Sequence, residues 1–307
     1  MGALHEGHLS LVDASLREND VTIVSIFVNP AQFAPHEDLS SYPRTLDSDL
    51  AQLQDRLARS HTEKPLSVLI PTVHDMYPNG FTQEISKQVG AFVEVKGLSH
   101  QMEGLTRPTF FRGVATVVTK LLNIVMPDRA YFGQKDIQQA VVLRRLVDDL
   151  LFRYPNGSKN VRVLPTSRDI SDNVALSSRN AYLDQNGRQA APILYQALSS
   201  GKQTWERLLG QDITPSERIQ ATLSAVNEEA ERRKRMLREA YDKNRQGAHV
   251  ELDYVCLNDP YTLEDLTDTA SDAAILSGAL WVYNDANDPK PATRLIDNML
   301  LGFSMNV

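Results

Sequence analysis

His5 and His8 stand three positions apart in Met1-Gly2-Ala3-Leu4-His5-Glu6-Gly7-His8, and this pair is the first chemistry the chain offers. Leu9, Val12 and Leu16 follow at i, i+3 and i+7, the spacing of a helix with one buried face. A helix starting at Gly7 or His8 points free N–H groups and a positive dipole end at whatever lies there. Gly2 and Gly7 let the backbone approach a ligand closely. Two imidazoles beside such an end suit a phosphate. From these residues alone, a pair of ordinary loop histidines is an equal alternative. A zinc site is a weaker one, because H-E-G-H is one residue short of the H-E-x-x-H helix and a single cysteine adds no ligand cluster.

The phosphate reading needs further donors. Lys135 lies in Gly133-Gln134-Lys135-Asp136, after the short strand Ala130–Phe132 and before a helical stripe of Ile137, Val141, Leu146 and Leu150. Strand, glycine turn and helix in about twenty residues is the form of a nucleotide-binding unit. Lys135 there could neutralise phosphate; a solvated lysine is the alternative. Ser167-Arg168 and Ala175-Leu176-Ser177-Ser178-Arg179-Asn180 place two hydroxyls and a guanidinium on a loop able to grip phosphate by directed donors. The alternative is a capping serine beside a surface arginine.

The elements that must position these groups are legible. Val21 to Val28 is a β-branched run, read as a buried parallel strand. Pro30 holds Asn29 extended, so Asn29 and Gln32 sit beyond the strand's carboxyl end, where open α/β sheets bind ligands. Leu46, Leu50, Leu53 and Leu57 form a helical stripe with Asp47 and Asp49 in its first turn. Leu66–Ile70 and Phe92–Val95 read as strands. A helix runs from Phe111 to about Met126, ended by Pro127. Val161–Leu164 is the last strand before the character changes. Beyond it, Thr214-Pro215-Ser216-Glu217 is a capping box opening a long charged helix that ends near Gly247. Val250–Leu257, Ala274–Val282 and Thr293–Leu301 read as strands. The expectation is an α/β chain: a Rossmann-like parallel-sheet domain over residues 1–166 and a smaller α+β domain over 167–307.

Net charge is -7 and the pI about 5.5, which argues against a nucleic-acid partner. Cys256 is the single cysteine, so no intrachain disulfide forms and a reducing, cytoplasmic setting is expected. No apolar run reaches the ~18 residues of a membrane span.

MGALHEGH, FVNPAQF, YPRT, RPTFFRGVATVV, FGQKDIQQ, ALSSRN and TRLIDN in this order closely resemble the pantothenate synthetase (pantoate–β-alanine ligase) family, one of the HxGH nucleotidyltransferases. The resemblance implies an ATP- and Mg2+-dependent condensation of pantoate with β-alanine. Pantoyl adenylate and pyrophosphate form first, then pantothenate and AMP. It implies that Met1, Gly2, His5, His8, Gly133, Lys135, Asp136, Ser167, Leu176, Ser177, Ser178 and Arg179 meet ATP, with His8 in the family's proton-donor position. His5, His8, Lys135 and Arg179 would carry catalysis. Gln32 and Gln139 would hold pantoate; Gln32, Asn29 and Glu103 would serve β-alanine. Asp49 is the candidate metal ligand, Ser48 standing where an acidic residue is frequent. A closing second domain would keep water from the adenylate. A homodimer is implied. Relative to the family's pattern, a first strand and helix before Met1 are expected to be missing, which would weaken stability and activity. The rival readings are another HxGH nucleotidyltransferase, such as a cytidylyltransferase, and a truncated homologue that only binds or dimerises.

Overall fold

The computed structural model describes residues 1–34, 39–244, 247–268, 271–285 and 288–305. Its contacts divide the chain into two compact units, Met1–Pro165 with Met305–Val307, and Thr166–Ser304.

The first unit is α/β. α1 (Glu6–Glu18) buries Leu9, Val12 and Leu16, the stripe read from the sequence. It leads into β1 (Thr22–Ser25), and α2 (Leu46–Arg59) leads into β2 (Leu66–Leu69), with β1 and β2 paired in parallel, Thr22 opposite Leu66. The strand expected over Val21–Val28 forms its full ladder only over four residues. Beyond them Ile26 still donates to Leu69 and Phe27 to the Met1 carbonyl, and three residues on Pro30 has no N–H to continue a ladder. Two short helices, α3 (Val73–Met76) and α4 (Glu103–Thr106), precede α5 (Phe110–Val125). β3 (Ala130–Gly133), α6 (Ile137–Asp149) and β4 (Val161–Leu164) make the second parallel pair, Ala130 opposite Val161.

Residues 92–95 are not a strand, contrary to the sequence pattern. The Val93 amide donates to the Thr116 hydroxyl of α5, and Phe92, Val93 and Val95 pack against the α5–α6 core. Their apolar run is buried by a helix rather than by a ladder. The α5 apolar face (Phe111, Val114, Val118, Leu122) meets Leu143, Leu146 and Val147 of α6.

In the second unit α7 (Gln185–Ala190), α8 (Pro192–Leu208) and α9 (Pro215–Asn244) accompany an antiparallel sheet of β5 (His249–Asn258), β6 (Ala274–Asp285) and β7 (Asp288–Leu301), in that order. Ile193, Leu194, Leu198 and Trp205 of α8 share one core with Leu276, Leu280 and Val282 of β6. Gly201 permits the close crossing of α8 and α9, since a Cβ there would lie 2.4 Å from a Val226 methyl. The expected capping box is present: the Thr214 amide donates to the Glu217 carboxylate and the Glu217 amide to the Thr214 hydroxyl. Residues 245 and 246, where the sequence pattern carries this helix on toward Gly247, lie outside the described residues. Among the described residues, no helix is long and apolar enough to cross a membrane.

Candidate active site

α1 begins where its own histidine caps it. The His5 Nδ1 accepts the Gly7 amide at 3.1 Å, so the ring's proton sits on Nε2 when the imidazole is neutral. His8 lies one turn on, its ring centroid 4.0 Å from that of His5. Its Nδ1 is buried with no hydrogen-bond partner among the described residues. Burial is the main cause that pulls His5 down to about 4 and His8 to about 2. The charge of Lys135 contributes in the same direction to both, which ties the turn after β3 electrically to the N-terminus of α1. Two neutral imidazoles beside an ammonium and a helix N-terminus form a donor cluster for an anion.

Lys135 is largely enclosed, with its ammonium 3.6 Å from the Asp136 carboxylate. A Cβ on Gly133 would meet nothing within 4 Å, so the strand end is open. A Cβ on Gly2 would make only ordinary contact with Ile26 and Val28, so packing does not demand a glycine there. The Met1 nitrogen donates to the Ser25 carbonyl, which lays the histidine loop beside β1.

Asp49, the expected metal ligand, is engaged with the chain's own N–H and O–H groups. It is 1% exposed, and its carboxylate accepts the Ala3 and Leu4 amides and the Thr45 hydroxyl. A carboxylate already receiving three hydrogens has little left to offer a cation. Among the described residues, no three His, Cys, Asp or Glu side chains gather as a metal site.

Beyond β1, Asn29 is 3% exposed and fully engaged. Its carbonyl oxygen accepts the Tyr77 hydroxyl and the Ala31 amide; its NH2 donates to Gln32 and to the Gly113 carbonyl. Each polar atom of the Asn29 side chain is thus engaged within the chain, and its NH2 orients Gln32. Arg107 anchors the Gln32 carbonyl at 2.7 Å. Gly113 is required here, since a Cβ would fall 2.0 Å from the Ala31 carbonyl oxygen. Gln139 is half-buried on α6. Its neighbour Gln138 is buried and bonds the Glu103 amide and the Leu98 and Gln101 carbonyls, which seats the segment bearing buried Glu103. Sequence reading missed Tyr77, Arg107 and Gln138. Only Gln138 carried a signal, a polar residue beside Ile137 on a helix whose apolar stripe it widens.

In the second unit the Leu176 amide donates to the Ser167 carbonyl, and Ser177 caps the short turn Ser178–Tyr182 through the Arg179 amide. The capping reading of that serine thus holds. Arg168 pairs in two parallel bonds, 2.6 and 2.8 Å, with Asp297 of β7 and lies over the Tyr195 ring. This pins the base of the Ser167–Arg179 loop.

The Pantoate-beta-alanine ligase family model matches residues 1–300. The chain belongs to this family. The match begins at residue 1, so the expected lack of the family's first strand and helix is not borne out. In the structure the Met1 backbone and Asp49 hold the histidine loop beside β1. The pantoate–β-alanine ligase of Saccharomyces cerevisiae is 41% identical over 306 residues, 98% of this chain and 90% of its own. The pantothenate synthetase of Moorella thermoacetica is 41% identical over 302 residues, 98% and 88% of the two chains. A crystal structure of the Thermus thermophilus family member superposes with a TM-score of 0.72 at 38% identity, covering 97% of this chain and 90% of that one. A Francisella tularensis pantoate–β-alanine ligase, solved with beta-gamma ATP and β-alanine, gives 0.61 at 29% identity, covering 100% and 89%.

Proposed function

We propose that this chain condenses pantoate with β-alanine at the expense of ATP. The observation that carries the reading is the neutral His5–His8 pair at the head of α1 under the charge of Lys135. Pantoate's carboxylate attacks the α-phosphorus of ATP and pyrophosphate leaves, giving pantoyl adenylate. The amine of β-alanine then attacks the acyl carbon and AMP leaves. Negative charge grows on the phosphate oxygens in the first step. His5 Nε2–H, His8 and Lys135 donate to it, and Ser177, Ser178 and Arg179 match the family's phosphate-gripping loop. Donors that strengthen in the transition state raise the rate. Met1, Gly2, Gly133 and Asp136, and in the second unit Ser167 and Leu176, match the family's nucleotide contacts. Gln32, held by Asn29, and Gln139 orient pantoate; Glu103 serves β-alanine. Magnesium enters bound to the triphosphate as part of the substrate, because Asp49 is otherwise engaged. The working form is a homodimer in the cytoplasm.

The test is ATP–pyrophosphate exchange. Exchange that depends on pantoate, followed by AMP and pantothenate release on adding β-alanine, is the expected result. Lys135→Ala should lose ~10²–10³ in exchange rate. Exchange driven equally by unrelated acids, or a Lys135→Ala rate near that of the parent, overturns the reading. Sedimentation velocity checks the dimer.

A further inference from the structure

We propose that Asp49 is a positioning residue for adenylation, holding the backbone of the histidine loop rather than a metal ion. The inference rests on the ligase reading for its kinetic consequence but not for its geometry. The loop has two features that local sequence does not support. Ala3 sits at φ +50°, a left-handed conformation that alanine seldom adopts unaided. The amides of Ala3 and Leu4 point inward, where an unpaired N–H is unfavourable. Asp49 answers both. Its Oδ2 accepts Ala3 at 3.1 Å, and its Oδ1 accepts Leu4 at 2.8 Å and Thr45 Oγ1 at 3.0 Å.

The carboxylate is itself fixed. It lies in the first turn of α2, which Arg56 ties to α1 through Glu6 and Asp13. The next residue after Leu4 is His5, whose ring caps α1 and lies tilted against that of His8. A rotation of the Ala3–Leu4 peptides therefore moves both imidazoles. Misplacement by about 1 Å suffices to cost a reaction roughly 10²-fold. Three of the carboxylate's roughly four acceptor sites are taken, so a cation at Asp49 would compete with hydrogens already aimed at its oxygens.

Asp49→Asn separates clamp from ligand. Its amide offers one acceptor and turns an NH2 toward a loop N–H. With no substrate present, amide exchange protection at Ala3 or Leu4, followed by nuclear magnetic resonance, should fall about tenfold, as for one lost hydrogen bond. Maximal pantoate-dependent pyrophosphate exchange should fall roughly 10²-fold. The half-saturating free Mg2+ should stay where it is in the parent. Unchanged protection, or a rate restored by raising Mg2+, overturns the proposal. If Asp49→Asn does not fold, Thr45→Val keeps the carboxylate and removes its third partner. Reduced Leu4 protection with an unmoved Mg2+ requirement is then expected, and unaltered protection overturns it. A parent protein lacking pantoate-dependent exchange would sink the ligase reading alone, since protection is read without substrate.

Discussion

His5 and His8 differ from solvent histidines in their protonation. Burial and nearby positive charge keep both neutral in the folded chain, at about 4 and about 2. The unfolded chain takes up protons as pH falls through the ordinary imidazole value of about 6.5. Folding stability is therefore fully present above that value and is lost as pH drops toward 4, His8 extending the loss further. Urea midpoints measured from pH 7 to pH 4 should fall less steeply in His5→Asn/His8→Asn than in the parent. Lys135 contributes to the same depression, so Lys135→Ala should raise the titration midpoints of both rings. Their NMR chemical shifts against pH check this. Binding a polyphosphate should raise them as well, since an anion favours the charged ring.

At the scale of elements, two close fits decide where site groups stand. α5 meets the Asn29–Gln32 turn so closely that Gly113→Ala must push that turn away. The expected outcome is a higher KM for pantoate with a stability loss of about 1–3 kcal/mol, the usual range for overpacking. On β7, Thr293, Leu295, Asp297, Met299 and Leu301 share the inward phase, and Asp297 is the one charge among them. It is tolerated because Arg168 satisfies it with two bonds. Asp297→Ala should cost roughly 3–5 kcal/mol, as for stranding one partner of a buried pair, and denaturant unfolding measures it. A charged residue in the inward phase of a strand is a signal that could be read beforehand; the identity of its partner was not, because Arg168 lies 129 residues away.

For the whole molecule, charge separates what is global from what is local. The net charge of -7 predicts no retention on duplex DNA at physiological salt, checked by mobility shift. Against that net charge, Lys135 and the N–H groups at the head of α1 make a local donor cluster. The charged run on α9 has the character expected of a solvated face: Arg232 and Arg233 pair with Glu229 on the same helix. Neutralising exposed Glu228 or Arg235 should shift stability by less than about 0.5 kcal/mol and leave turnover unchanged.

Sequence by itself determined the elements and the chemistry. Period 3.6 in α1, α2, α5 and α6, β-branched runs at β1 and β4, and the Thr214–Glu217 box are local facts, set by neighbours a few residues apart. The His5, His8, Lys135 and Arg179 candidates were likewise named from residue type and spacing. Only the tertiary structure decided who holds whom. Asp49 reads locally as a carboxylate at a helix N-terminus, and 45 residues separate it from the Leu4 amide it secures. Phe92–Val95 carries a strand's composition and lacks a strand's partner, because Thr116 supplies its bond. Hydrogen-bond valence is a property of the folded neighbourhood: which oxygen meets which N–H depends on chain segments that are distant in sequence and brought together only by packing.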